Sequence, residues 1–545
     1  MNLFRRHRKL PGLLLGMSVA AAALWLSWGR VRAASEDFYS QMQLFSQVVS
    51  LIKSRYVDDV DPHKLVEGAI SGMMESLDPH STYMPKQRYA RFSEDFRGNY
   101  SGIGIEFEIR DKYITVIAPI EGSPSYRLGV RPGDRILKID GQSAYGLTTE
   151  EVFGKLRGPD GSKVHVTLGR EGEDDPIELD IVRERVPIYS VPYHFMVEPG
   201  TGYIRMIRFS NTTERELDHA LEELQGQGMK RLVLDLRGNG GGLLNQAADV
   251  VEKFVPAGER TVYTRGRTRD SNSDYFSGEG NKFLDFPMVV LVDHGSASAS
   301  EVVSGALQDL DRALVVGLPT FGKGLVQNQL QLPDSSAILL TVARYYTPSG
   351  RLIQRDYSDR QAYLHAAMED SAAPADTQLA KRPKFKTVSG RTVYGGGGIT
   401  PDVFDPPPPR YTKLMVALVG QRQFFEFASH WVPKHPNDVN RADPDAFVQT
   451  WKVPAPAMDE FLIFAKAQVA KDSKEEFTPA EWAADMPNIE NYLKAEIGGV
   501  LWDRNTLMRV LVQRDTQLSR AVDQFAPARD LMVKFATHYN LKAVR

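Results

Sequence analysis

The chain has 545 residues, too many for one hydrophobic core, since single cores stop growing at roughly 250 to 300 residues. Its 66 basic and 69 acidic residues leave a net charge of -3, which offers no electrostatic footprint for nucleic acid. Cysteine is absent, which excludes disulfides, thiol catalysis and cysteine-ligated zinc, so any covalent chemistry falls to a hydroxyl or an amine.

Residues 1–34 have the pattern of an export signal: basic "MNLFRRHRKL", apolar "PGLLLGMSVAAAALWLSW", then "VRAAS", whose small residues suit signal peptidase at Ala33 or Ala34. The apolar run of about 18 residues is borderline for spanning a bilayer. The expectation is a signal peptide or, if uncleaved, an N-terminal membrane anchor, with the bulk exported to the periplasm and possible attachment at the inner membrane. Residues 35–97 predict amphipathic packing helices ("FYSQMQLFSQVVSLIKSRYV", "HKLVEGAISGMMESL") that end at "DPHSTYMP". "SLIK" within them matches a Ser-x-x-Lys spacing but lacks companion motifs.

Residues 98–186 change to short β-like runs between glycine turns ("GIGIEFEIR", "YITVIAPI", "DRILKIDG", "KVHVTLGR", "IELDIVRERV"), with one helical interruption at "TTEEVFGKLRG". A glycine turn before an ordinary strand would explain "GIGI" alone. Together with "GSPSYRLGVRPGDRILKIDGQ" the segment resembles a PDZ domain over nearly its full length. That resemblance implies that Gly102, Ile103, Gly104 and Ile105 offer backbone N–H groups to a peptide's terminal carboxylate, and that the peptide adds as a strand beside the sheet.

Residues 187–404 predict an α/β domain, with buried parallel strands at "RLVLDL" and "MVVLVD", helices at "TERELDHALEELQGQG" and "LLNQAADVVEKFV", and a polar loop at "TRGRTRDSNSDYFSGEGNKF". Three pieces carry chemistry. "HGSASASE" follows a buried strand and opens a helix, which lifts a side chain toward the carboxyl ends of the strands, where open α/β sheets place their sites. The N–H groups of the helix start suit a developing oxyanion. The competing reading is a helix cap, because Ser298 and Glu301 have capping-box spacing. "LPTFGKGLVQ" sets a lysine between glycines, and a lysine base must be neutral, which burial favours. Gln327 lies four positions on, about 13 Å away in a straight strand, so contact with Lys323 needs a bend near Gly324. "DLRGNGGGLLNQA" is a glycine turn that lacks both dinucleotide and P-loop signatures and fits oxyanion binding better than nucleotide binding.

With "LDPHSTYMP", "GIGIEF", "YYTPSGRLIQ" and "GGGGITPDV" in order around them, these pieces resemble the S41 family of C-terminal processing peptidases, also called tail-specific proteases, across about residues 36–404. The resemblance implies an α/β and α+β multidomain protein: an N-terminal helical segment (35–97), an inserted PDZ (98–186), a crotonase-like (ClpP/crotonase-type) catalytic core (187–404) and an all-α domain behind the proline linker "DPPPPR" (405–545). It also implies a serine endopeptidase in which Ser298 is the nucleophile, Lys323 the general base and Gln327 the residue that orients the lysine. The oxyanion donors would be the amide of Ala299 and that of Gly241 or Gly242. No metal or cofactor is needed, and the partners implied are protein substrates with a free apolar C-terminus. A serine–histidine site using His294 is the nearest rival, and a catalytically dead PDZ scaffold the rival from another class. The tail from residue 411 lies outside the resemblance and is open to oligomerisation, adaptor docking or a lid.

Overall fold

A computed structural model describes residues 38–280, 282–363, 376–407, 411–472 and 477–541. The predicted signal or anchor at 1–34 lies outside the described residues, among which no helix is long and apolar enough to cross a membrane. The chain divides into two compact units: residues up to Pro85 with Gln329–Leu340, and Lys86–Asn328 with Thr341 onward.

In the first unit, helices cover residues 38–55 and Pro62–Glu75, the second started by Asp61, whose carboxylate accepts the His63 N–H, with Pro62 in the first helical position. Strand Thr82–Met84 pairs antiparallel with Leu339–Ala337. The sequence predicts that these helices bury an apolar face, yet Phe38, Phe45, Leu51 and Met73 are exposed among the described residues.

The second unit begins with helix Lys86–Arg97, and strands Asn99–Gly102 and Glu184–Pro187 then pair to close the stem of a small inserted domain. Its sheet has the spatial order β1 (Ile105–Arg110), β2 (Tyr113–Pro119), β3 (Arg135–Ile139), β4 (Lys163–Gly169) and β5 (Ile177–Val182). Helix α1 (Thr149–Leu156) starts on a reciprocal cap between Thr148 and Glu151, which satisfies amides a helix start leaves unpaired. Its Val152 and Leu156 meet the inward faces of β2 to β4, where alternate residues such as Val164, Val166 and Leu168 are buried. β1 is an edge strand.

The larger sheet takes, in chain order, β6 (Tyr193–Glu198), β7 (Thr201–Arg205), β8 (Arg231–Asp235), β9 (Met288–Val292) and β10 (Leu314–Gly317); after β11 (Leu325–Gln331) and β12 (Ala337–Tyr346) the chain returns to add β13 (Val403–Phe404). β6 runs antiparallel to β7, and every other pair is parallel. Leu232, Leu234, Met288, Val290 and Val292 point to one face, packed by α2 (Thr213–Gly226), α3 (Leu244–Glu252) and α4 (Ala299–Asp309). Val233, Val289 and Leu291 point to the other. A sheet covered on both faces accounts for the continuous apolar runs of β8 and β9. The expected loop at 264–283 instead contributes a hairpin, Arg260–Gly266 with Ser273–Phe276. Pairing of its first strand with β12 overrides the polar composition that suggested a loop.

In the tail, α5 (Lys413–Gly420), α6 (Gln423–Lys434), α7 (Pro444–Thr450), α8 (Ala455–Asp472), α9 (Pro479–Leu501) and α10 (Arg504–Leu511) share a core around Phe424, Trp431, Phe461, Trp482 and Leu493. Outward side chains of β1 meet this bundle: Arg422 pairs with Glu108 (2.7 Å), Arg110 with Glu426 (2.6 Å) and Arg504 with Glu106 (3.0 Å). The last two helices, α11 (Thr516–Asp523) and α12 (Phe525–His538), pack Leu518, Ala521, Phe525, Ala528 and Leu531 on the second face of the large sheet.

Candidate active site

The three alternate serines after β9 have different surroundings. Ser296 and Ser300 are fully buried, and their hydroxyls donate to Leu236 O and Asn239 O, both at 2.8 Å. They fasten the glycine loop that follows β8, a role beyond the turn packing the sequence suggests. Ser298 is half-buried and has φ 55° and ψ -113°, a region costing a non-glycine residue about 1–3 kcal/mol, which persists only where the surroundings enforce it. Its enforcers are local: the Ala297 N–H donates to Asn239 O (3.0 Å) and the Ser298 N–H to Glu301 Oε2 (2.9 Å). Asp293 ties the same turn to the glycine loop, its Oδ1 accepting the N–H groups of Gly238 (2.8 Å) and Gly295 (2.9 Å). Ser298 therefore stands at the start of α4, where backbone N–H groups lack helical partners.

Gly241 has φ 94°, and a Cβ there would lie 2.7 Å from Ala297 O and 2.8 Å from both Ala299 N and Ser298 Cβ. Only glycine lets the loop approach the serine turn this closely. The Asn239 side chain shapes the turn, Oδ1 accepting the Gly241 N–H (2.9 Å) and Nδ2 donating to Met206 O (3.0 Å). Gly242 is pressed on the opposite side against Phe209 O.

Lys323 lies in a bend before β11, and its Nζ donates to Gln327 Oε1 at 2.7 Å. The contact exists because residues 321–324 are irregular, with Gly322 at φ 90°, and extended structure begins only at Leu325. Glu301, which the sequence suggests only as a capping partner, organises this bend. Fully buried, it accepts from the Thr320 hydroxyl, Gly322 N (2.7 Å), Lys323 N (2.9 Å) and Ser298 N (2.9 Å), so one carboxylate fixes both the serine and the lysine turns. Burial pushes its carboxyl above the usual range, against those four hydrogen bonds. The late "GGGGI" stretch backs the same bend: a Cβ on Gly398 would meet Thr320 O at 2.4 Å, and the Ile399 N–H donates to Thr320 Oγ1. Tyr345 closes the floor, donating its hydroxyl to Ser298 O (3.1 Å).

In the inserted domain, Gly102, Ile103 and Gly104 are buried where the chain enters β1, and Ile105 is half-buried. Gly104 has φ 81° and no room for a side chain beside Ser123. Phe107 of β1 and Phe153 of α1 make an edge contact at 5.4 Å, and the Arg157 guanidinium lies 4.5 Å over the Phe153 ring, so the space between edge strand and helix has an aromatic floor. Among the described residues one group has the composition to hold a metal ion, His194, His219 and Glu223. None belongs to the serine and lysine turns, and a hydrogen bond between His194 Nε2 and Glu223 Oε2 at 2.6 Å accounts for the closest approach in the group.

Residues 200–359 match peptidase family S41, 26–88 the N-terminal domain of the activating protease CtpB, 115–170 a PDZ domain and 414–503 a family of unknown function. The carboxy-terminal-processing protease of Bartonella bacilliformis is 38% identical over 64% of this chain and 80% of its own. The carboxy-terminal processing protease CtpA of Bacillus subtilis is 35% identical over 64% and 76%. A solved photosystem II D1 C-terminal processing protease aligns at 31% identity over 57% of this chain and 89% of that one, with a TM-score of 0.32. The fold and these matches define a serine-type peptidase of mixed α/β architecture that carries a PDZ domain. The chain belongs to the carboxy-terminal processing proteases of family S41.

Proposed function

We propose that this protein is an exported endopeptidase that captures the C-terminal tail of a protein substrate in its PDZ domain and cuts the chain with a Ser298–Lys323 dyad. The observation that carries this reading is the strained turn of Ser298 (φ 55°), fixed through Glu301 to the backbone of Lys323. Strain of this kind at a strand-to-helix turn is what presents a nucleophile above a sheet.

In the proposed reaction, neutral Lys323 accepts the proton of the Ser298 hydroxyl as its oxygen adds to the scissile carbonyl. Gln327 Oε1 takes one amine hydrogen, which leaves the nitrogen lone pair free to turn toward the serine. The tetrahedral oxyanion is met by the Ala299 N–H and, of the two glycines, by the N–H of Gly242, because that of Gly241 is already donated to Asn239 Oδ1 (2.9 Å). The protonated lysine then gives its proton to the leaving amine, forming an acyl-enzyme that water hydrolyses by the reverse sequence. Support for tail capture comes from the buried Gly102–Ile105 entry to an edge strand and the aromatic floor beside it, which suit a carboxylate and an apolar last side chain. Export rests on the sequence of residues 1–34.

The test is digestion of an unfolded reporter with and without an apolar C-terminal tag. Ser298→Ala and Lys323→Ala are each expected to abolish cutting, and His294→Ala to retain most of it. Undiminished cutting by Ser298→Ala overturns the dyad. Equal cutting of tagged and untagged reporters removes the capture role alone.

A further inference from the structure

We propose that Asp515, on the C-terminal tail and outside the S41 match, is a positioning residue for the peptidase site, acting through Arg237 on the glycine loop beside Ser298. The proposal rests on reading Ser298 as nucleophile and the Gly241–Gly242 turn as oxyanion donor.

Arg237 follows β8 after one intervening residue, Leu236, and opens "RGNGGG". Its guanidinium is held from two sides. On the core side Nε and Nη2 donate to Asp235 Oδ1 (2.9 Å) and Oδ2 (2.7 Å), and Asp235 also accepts from the Tyr203 hydroxyl (2.7 Å). On the tail side Nη2 and Nη1 donate to Asp515 Oδ2 (2.6 Å) and Oδ1 (3.2 Å), and Nη1 also to Gln517 Oε1 (3.1 Å). Arg237 is 9% exposed and Asp235 fully buried, so little water is available to replace a lost partner.

Asp515 is itself fixed. Its Oδ1 accepts the N–H groups of Gln517 and Leu518, both at 3.0 Å, as the N-cap of α11, and that helix is anchored by Leu518 and Ala521 on the large sheet. One carboxylate thus sets the register of a tail helix and the direction of Arg237. From Arg237 the loop continues through Gly238, tied to Asp293, and Asn239, whose carbonyl accepts from the Ala297 N–H and the Ser300 hydroxyl, to Gly241 against Ala299 N. A bidentate arginine–carboxylate pair fixes orientation as well as distance. Releasing its tail half leaves Arg237 held from the core side alone, at the first position of a loop whose third and fifth residues, Asn239 and Gly241, touch the serine turn. A displacement of about 1 Å at a catalytic group costs on the order of 100-fold in rate.

The experiment uses the full-length protein and a tagged peptide reporter, with kcat and KM measured separately, and the rate of Ser298 acylation by a fluorophosphonate as a second readout. Asp515→Asn keeps a side chain that caps helices as well as aspartate does but removes the charged fork. It is expected to lower kcat and the acylation rate together by about 10- to 100-fold, with KM near wild type and the thermal midpoint lowered by no more than a few degrees. Asp515→Glu is expected to recover part of the lost rate. Arg509→Gln breaks a different tail ion pair, Arg509–Asp445 (2.5 Å), that shares no partner with Arg237, and is expected to leave kcat unchanged. Wild-type kcat and acylation in Asp515→Asn overturn the proposal, as does a kcat loss of equal size in Arg509→Gln, which would mark general loosening of the tail. Failure of the underlying reading shows separately, as a wild-type enzyme whose Ser298 the phosphonate does not label.

Discussion

The two faces of the large sheet are equally dry but differently made. On one face Leu232, Leu234, Met288 and Val290 meet α2, α3 and α4, helices that lie between the strands in sequence. On the other, Val233, Val289, Leu291 and Val316 meet α11 and α12, which arrive more than a hundred residues after the last strand of the sheet. Helices of the first face continue directly from the turns that hold chemistry, since α3 follows the glycine loop and α4 follows Ser298. Among the described residues the second face supplies none of the serine and lysine turns, and it touches the glycine loop through Asp515 and Gln517 on Arg237. A sheet interior can thus be completed by a distant segment, while the atoms that must sit within tenths of an ångström of one another come from short connections.

Substitutions on the two faces separate these contributions. The largest expected effect is at the first face. Glu301→Gln cannot accept all four of its hydrogen bonds, so the Ser298 and Lys323 turns lose their common anchor, and kcat is expected to fall by about 100-fold or more with the fold retained. Steady-state kinetics beside a circular dichroism melt checks this, and an active Glu301→Gln enzyme would break the comparison.

Next, Leu234→Ala, wholly buried on the first face, is expected to cost about 2–5 kcal/mol of stability in denaturant unfolding. Phe525→Ala, 5% exposed on the second face, is expected to cost a similar or smaller amount. The sharper difference is in hydrogen exchange: Phe525→Ala should raise exchange in α11 and α12 with little change in β8 and β9, whereas Leu234→Ala should raise it throughout the sheet.

The smallest effect concerns Asp249 on α3, whose carboxyl is pushed up to about 6 by burial, then by Glu214 and Glu252. Its folded pKa lies above the ordinary value of 3.8, so between about pH 4 and 6 the folded state binds more protons than the unfolded one, and stability falls as pH rises through that window. Asp249→Asn is therefore expected to raise the melting temperature by about 1–2 °C at pH 7.5 and by nothing at pH 4, the gain being small because the group is partly solvated. A gain that persists at pH 4 would assign the effect to something other than the charge.

Much of this was legible in the chain. The β8 and β9 runs, the α4 start at "SASASE" and the PDZ strands follow from apolar periodicity and turn residues, which act over a few positions. Glu301 was visible only as a capping partner, because the Ser-x-x-Glu spacing carries no sign that the same carboxylate also reaches Gly322 and Lys323. The 264–283 hairpin was hidden because its strands are polar and stabilised by pairing with β12, a partner the local sequence does not specify.

The sequence by itself determined most of the elements, though not the 264–283 hairpin, together with the family and the residue types available for chemistry, since each depends on local pattern or on motif order. Tertiary structure decided which of three serines is strained and accessible, how a lysine reaches its glutamine around a bend, and that a tail aspartate meets an arginine 278 positions earlier. These outcomes depend on backbone dihedrals and on contacts between segments far apart in the chain. Burial and chain crossing set both, and neither is written in any short stretch of residues.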